Sequence, residues 1–155
     1  MCAEILSVLG VGEDALADMP LVNAVTSRVK TLVPLKSPAI LNDLAPDFAR
    51  MEALCERVGS TGLYPFALSD EDANIVEARQ FPKASGYAED PATGIAAAAL
   101  AFGLLAAGRI GAEDWLKVLQ GRAMGRPSVI TVRFALDRAG AVTGCWLGGA
   151  VQLAD

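Results

Sequence analysis

The sequence predicts an α+β fold in which a barrel-like sheet wraps one central apolar helix, with two peripheral helices. Three observations carry that expectation. The run from Ile95 to Ala107 holds no polar or charged residue, and a helix that is apolar all round has to be buried on every side. Six or seven short β-branched or alternating segments supply strands to bury it. Two further segments show the 3–4 spacing of helices with one apolar face. Strands that turn their apolar faces onto the central helix satisfy both elements, and closure of the sheet would remove its edges.

The elements follow in chain order. Residues 3–9 and 13–18 read as short helical pieces before Pro20. Segments 21–25 and 29–35 read as strands. Ser37-Pro38 opens a short helix through Leu44, with Ser37 as its cap. A second helix spans 46–58, where Phe48, Met51, Leu54, Cys55 and Val58 share a face and Gly59 ends it. Segments 63–68 and 74–81 are strands separated by the turn Ser69-Asp70-Glu71-Asp72. A loop over 82–89 leads to the central helix. Asp90 is placed as its N-cap and Pro91 as its first residue, so the helix is expected over 91–107 with Gly108 behind it. Residues 114–120 fit either a helix or an irregular strand. Segment 121–128 is rich in turns, and 129–136 with 142–147 form a hairpin around Asp137-Arg138-Ala139-Gly140. Residues 151–153 are a possible extension of the last strand.

Composition bounds the function. The chain has 155 residues, in line with one domain over 1–155, and 53% of them are hydrophobic, enough for a full core. The formal net charge is −5 and the basic residues are scattered, which argues against nucleic acid. There is no histidine, so a Ser-His-Asp or Cys-His centre cannot form within this chain. Cys2, Cys55 and Cys145 lack metal-site spacing and read as free thiols of a reducing compartment; no metal is expected. Residues 1–12 hold no basic n-region, and the longest apolar run is too short for a bilayer. The reading is a soluble, cytoplasmic protein with no membrane partner.

The chemistry concentrates at the start of the central helix. The first N–H groups of a helix lack internal partners, and with the positive end of the dipole they attract anions. Thr93 and Gly94 are small enough to let a ligand approach that backbone, and Asp90 adds a carboxylate. The alternative for Asp90 is a helix cap and nothing more, and the two roles are compatible. Glu89 reads as an exposed loop acid rather than a base, and Arg126 as part of a turn rather than a ligand contact. No cysteine lies in 89–95, which disfavours proton abstraction by paired thiols.

Several of these residues resemble a known signature. Glu89-Asp90-Pro91-Ala92-Thr93-Gly94 with its alanine-rich continuation is similar to that of the phenazine-biosynthesis (PhzF-like) isomerases. So are Gln120-Gly121 followed by Met124-Gly125-Arg126-Pro127-Ser128, the pair Gly148-Gly149, Val33-Pro34-Leu35, and Arg79-Gln80-Phe81-Pro82 with Gly86. The resemblance implies a diaminopimelate epimerase-like half: a mostly antiparallel, barrel-like sheet around a central helix, matching only the second, C-terminal domain of a two-domain protein. It implies cofactor-independent acid–base proton transfer on a small carboxylated metabolite bound between the two halves. The family's usual catalytic glutamate lies in the first domain and has no counterpart here. By motif, Asp90 is the catalytic carboxylate, and Asp90, Ala92, Thr93, Gly94, Ile95 and Gly86 are the substrate-binding residues. Ile95 stands where the family usually has serine, which removes a hydroxyl from the site. The missing partner is expected to be a second copy, giving a homodimer, or a separately encoded first-domain half. The alternative is a non-catalytic small-acid-binding or degenerate half-domain.

Overall fold

A computed structural model describes residues 1–150, so the possible strand extension at 151–153 lies outside the described residues. The elements are α1 (Cys2–Leu9), β1 (Val22–Val25), β2 (Val29–Leu35), α2 (Pro38–Asn42), α3 (Phe48–Val58), β3 (Gly62–Leu68), β4 (Ile75–Ala78), β5 (Phe81–Pro82), α4 (Gly94–Ala106), β6 (Trp115–Gln120), β7 (Ser128–Leu136) and β8 (Val142–Gly148). Single 3-10 turns occupy Glu13–Ala15 and Arg122–Met124. No helix among the described residues is long and apolar enough to cross a membrane.

One sheet runs in the order β1-β2-β3-β4-β6-β7-β8, with β5 paired to β3 off that path. The pairs β2–β3 and β4–β6 are parallel and the others antiparallel. Among the described residues the sheet curls around α4 and stays open between β1 and β8. Closure is therefore not reached, and a groove of about 460 Å³ remains where Val22–Val25 meet Phe102, Gly103, Ala106 and Ala107. This open side is why the apolar helix is not enclosed all round. Ala96 to Ala101 and Leu104 are buried, Phe102, Gly103 and Leu105 are half-buried, and Ala106 and Ala107 are exposed.

Two apolar layers sandwich the sheet. On the inner face Leu32, Tyr64, Phe66, Val76, Ala78, Leu116, Val118, Ile130, Val132 and Phe134 pack on α4. On the outer face Val33, Leu35, Leu63, Ala67 and Phe81 pack against α1, α2 and α3. The inner layer needs small helix residues. A Cβ on Gly103 would stand 2.4 Å from Leu32 Cδ1, so the helix backbone lies almost against β2.

Two expectations are corrected and one open alternative is settled. The peripheral helices number three, because 2–9 is a full α-helix, while 13–18 supplies only a 3-10 turn. The strand expected over 74–81 is interrupted at Arg79 and Gln80: β4 ends at Ala78, and β5 resumes at Phe81 in the same register on β3, so the alternation of faces continues through the break. The ambiguous segment 114–120 is strand β6, with Leu116, Val118 and Gln120 inside and Trp115 and Lys117 outside. The other boundaries follow their local chemistry. Ser37 Oγ accepts from Ile40 N at 3.3 Å, and Gly59 ends α3 with φ +68°.

Candidate active site

The loop before α4 is fixed by hydrogen bonds that reach across the sheet. Asp90 N–H donates to the Gln80 carbonyl at 3.1 Å. The Asp90 carbonyl accepts from Gln120 Nε2 at 2.7 Å, and the Pro91 carbonyl from Ser128 Oγ at 2.8 Å. Residues 90 and 91 are thereby committed to strand partners, and the helix cannot begin at Pro91. It begins at Gly94, three residues later than expected, with Thr93 as the N-cap. Asp90 performs a related local task. Its Oδ2 accepts from Thr93 Oγ1 at 2.6 Å and its Oδ1 from Ala92 N at 3.4 Å, a side-chain turn of the kind aspartate favours.

The carboxylate is thus held beside the helix start. Ala96 and Ala97 donate to the Thr93 carbonyl, while no hydrogen bond among the described residues engages the N–H groups of Thr93, Gly94 or Ile95. Three unengaged amides and the positive end of a 13-residue helix lie next to Asp90. Gly94 keeps the surface close: a Cβ there would lie 3.0 Å from Leu147 Cδ1. Ile95 is half-buried, and its carbonyl lies 3.5 Å from Thr26 Oγ1, in the β1–β2 turn. Ala92 is exposed. Gly86 is not drawn in; it sits in the exposed loop with φ +78°, and nothing lies within 4 Å of where its Cβ would stand.

Glu89 departs from the expectation of an exposed acid. Arg79 Nε and Nη2 grip its two oxygens at 2.9 Å each, and the side chains are 9% and 11% exposed. Arg79 Nη1 also donates to the carbonyls of Leu41 at 3.2 Å and Leu44 at 3.0 Å, so the pair ties the loop to the end of α2. A carboxylate spent in this way is an anchor for the loop. Arg126 is exposed, and its N–H closes the 121–126 turn onto the Gly121 carbonyl. Cys145 is half-buried against the inner core.

Beneath the helix start lies a polar row on the inner face of the sheet. Tyr64 donates to Gln120 Oε1 at 2.8 Å, and Gln120 Nε2 reaches both the Asp90 carbonyl and Thr93 Oγ1, the latter at 3.0 Å. Burial, with the charge of Asp90 adding to it, pushes the Tyr64 hydroxyl far above its ordinary range, so it stays protonated and remains a donor. Lys30 and Gln80 share this inner face, two residues before Leu32 and two after Ala78. Sequence reasoning named neither as a site residue. The usable signal was a polar residue at an inward position of an otherwise apolar strand. Among the described residues no three His, Cys, Asp or Glu side chains gather as a metal site.

Comparison with known proteins agrees with this architecture. The model of a family described as phenazine biosynthesis-like protein matches residues 2–150. An uncharacterized isomerase, YddE, of Escherichia coli K12 is 32% identical over 134 residues, which cover 84% of this chain and 45% of that protein. An uncharacterized isomerase of Deinococcus radiodurans is 32% identical over 133 residues, 83% of this chain and 42% of its own. A crystal structure of a Bacillus anthracis phenazine biosynthesis protein of the PhzF family superposes with a TM-score of 0.78 at 20% identity, covering 95% of this chain and 50% of that one. A predicted epimerase of Pseudomonas aeruginosa gives 0.70 at 23% identity, covering 99% and 52%. The chain spans about half the length of the relatives it matches.

Proposed function

Because the chain belongs to the family of phenazine biosynthesis-like (PhzC-PhzF) proteins, we propose that it is one half of an isomerase site that moves a proton on a small carboxylated metabolite without a cofactor. The carrying observation is the pairing of the Asp90 carboxylate with three unengaged amides at the tip of α4. In this reading Asp90 gives or takes the proton. The amides of Thr93, Gly94 and Ile95 hold the substrate carboxylate and the negative charge that develops as the proton leaves. Gln120 fixes the geometry, since it holds both the Asp90 backbone and the Thr93 hydroxyl.

A proton-transfer site of this kind needs a second group and protection from water, and Glu89 is unable to serve because Arg79 holds it. A second half supplies both. We place a second copy of the chain first, because Leu147, which packs over Gly94, is 47% exposed beside the site. A separately encoded first-domain half is the other candidate, and light scattering separates them: a monomer at every concentration speaks against self-pairing.

The test is solvent deuterium exchange into small carboxylic acids at the carbon next to the carboxylate. Exchange that vanishes in Asp90→Asn supports proton transfer. Carboxylate binding without exchange supports the second reading, a non-catalytic acid-binding half. That reading is favoured by one specific observation: both Asp90 oxygens already accept hydrogen bonds from its own loop.

A further inference from the structure

Four inward-facing polar side chains lie at the helix-start end of the sheet, and only two are spent. Tyr64 and Gln120 satisfy each other and the Asp90–Thr93 loop. Gln80 is 1% exposed, and neither its Nε2 nor its Oε1 has a partner among the described residues. Lys30 is 4% exposed, and no hydrogen bond or ion pair among the described residues engages its ammonium. The two are neighbours by register. The Val29 carbonyl accepts from Thr61 N and Thr31 pairs with Leu63, which puts Lys30 beside Gly62. The Gln80 amide lies over Gly62 as well, since a Cβ on that glycine would stand 2.5 Å from Gln80 Nε2.

Both are close to the candidate site. The Gln80 carbonyl holds the Asp90 N–H. Lys30 follows the β1–β2 turn, whose Thr26 hydroxyl lies 3.5 Å from the Ile95 carbonyl. An enclosed amide without a partner is costly, and so is an ammonium on a mostly buried side chain with no counter-charge among the described residues. Burial lowers the Lys30 pKa, as does Arg28, while Cys55 and Asp90 pull it back up, which places the ammonium within the electrostatic reach of the Asp90 carboxylate.

We propose that Lys30 and Gln80 are ligand-binding residues: an ammonium and an amide donor, held unpaired beneath the helix start, that receive an acidic group of the bound metabolite together with the amides of Thr93–Ile95. The inference rests on reading the helix start as an anion site. It narrows the ligand to one whose carboxylate meets a fixed positive charge as well as backbone donors, and it makes Lys30 the residue that selects for charge.

The test is a nitrogen-15 NMR titration of the chain with succinate, comparing wild type with Lys30→Met, Gln80→Leu and the exposed-surface control Lys117→Met. The expected result is that succinate shifts the amides of Thr93–Ile95. Lys30→Met weakens its affinity about tenfold or more, the loss that goes with one charge-assisted contact. Gln80→Leu weakens it less, and Lys117→Met leaves it unchanged. The melting temperature of Lys30→Met stays equal to wild type or rises, since a charge on a mostly buried side chain without a counter-charge has been removed. A purely structural lysine would give the opposite pair, lowered stability with unchanged affinity. A folded Lys30→Met with wild-type affinity overturns the inference and leaves the helix-start site standing. A Lys30→Met that does not fold also overturns it, because the lysine is then structural. Absence of any shift at Thr93–Ile95 in wild type sinks the underlying reading and this one together.

Discussion

The bond between Tyr64 and Gln120 offers a direct measure of how the loop at residues 90–93 is held. Both side chains are fully buried, and the hydroxyl donates to Gln120 Oε1 at 2.8 Å. Tyr64→Phe keeps the ring and strands that acceptor, at ~1–3 kcal/mol for one buried unsatisfied group. Gln120→Met keeps the volume and strands two groups, the Tyr64 hydroxyl and the Asp90 carbonyl, at ~2–6 kcal/mol by the same reasoning. In the double variant the tyrosine hydroxyl is gone along with its acceptor, so only the Asp90 carbonyl is left without its partner. The double variant is therefore expected to be at least as stable as Gln120→Met alone. The sum of the singles should exceed the double by two stranded groups, ~2–6 kcal/mol. Urea unfolding of the four proteins, with equal slopes, measures this cycle. Additivity within ~0.5 kcal/mol would refute the claim that the two groups form one buried network joined to the loop.

Two further outcomes follow from the same geometry. Arg79→Met leaves Glu89 and the carbonyls of Leu41 and Leu44 unpaired in a nearly dry site, so chemical unfolding should show a loss of ~3–5 kcal/mol, part of which Arg79→Met with Glu89→Gln recovers; a loss below ~1 kcal/mol would return Glu89 to the exposed acids. Burial pushes the Cys55 thiol up to about 11 from its ordinary 9.0, so the folded state holds this proton more tightly than the unfolded one. Its contribution is complete below pH 9 and declines as pH rises from 9 to about 11, a fall that Cys55→Ala lacks; with a thiol reagent at neutral pH, Cys2 reacts first, Cys145 more slowly, and Cys55 only on unfolding.

How much of this was legible in the sequence depends on the range of the forces involved. The central helix could be read from Ile95–Ala107 because an apolar run that long has one stable solution in water. The ends of α2 and α3 could be read because Ser37 and Gly59 act on their own neighbours. The start of α4 could not. Asp90 carries a true capping signal, but its backbone answers to Gln80 and Gln120 from two other strands, and this moved the helix start to Gly94. The fate of Glu89 likewise depended on Arg79 and on carbonyls at the end of α2, which no local pattern discloses. Lys30 and Gln80 are a different case. Continuing the alternation of β2 back from Leu32 and of β4 onward from Ala78 puts both inside. Reading Lys30 as part of an apolar strand passed over the informative exception, a polar residue at an inward position.

The magnitudes explain why a half-site built this way calls for a partner. A helix start contributes ~0.3–2 kcal/mol toward an anion. Each hydrogen bond to a charged group adds ~1.5–3 kcal/mol. Against these stands an association cost of ~4–15 kcal/mol for fixing a small ligand. Three amides and one ammonium therefore leave little surplus, short of the ~8 kcal/mol that micromolar binding takes. Contacts on the opposite side of the metabolite would supply the difference. The described face is suited to receive them: the amides of Thr93–Ile95 have no partner among the described residues, and Leu147 is exposed beside Gly94. If the chain alone bound a simple monocarboxylate at micromolar concentration, the helix start would already be a complete site, and the need for a second half would lose its physical basis.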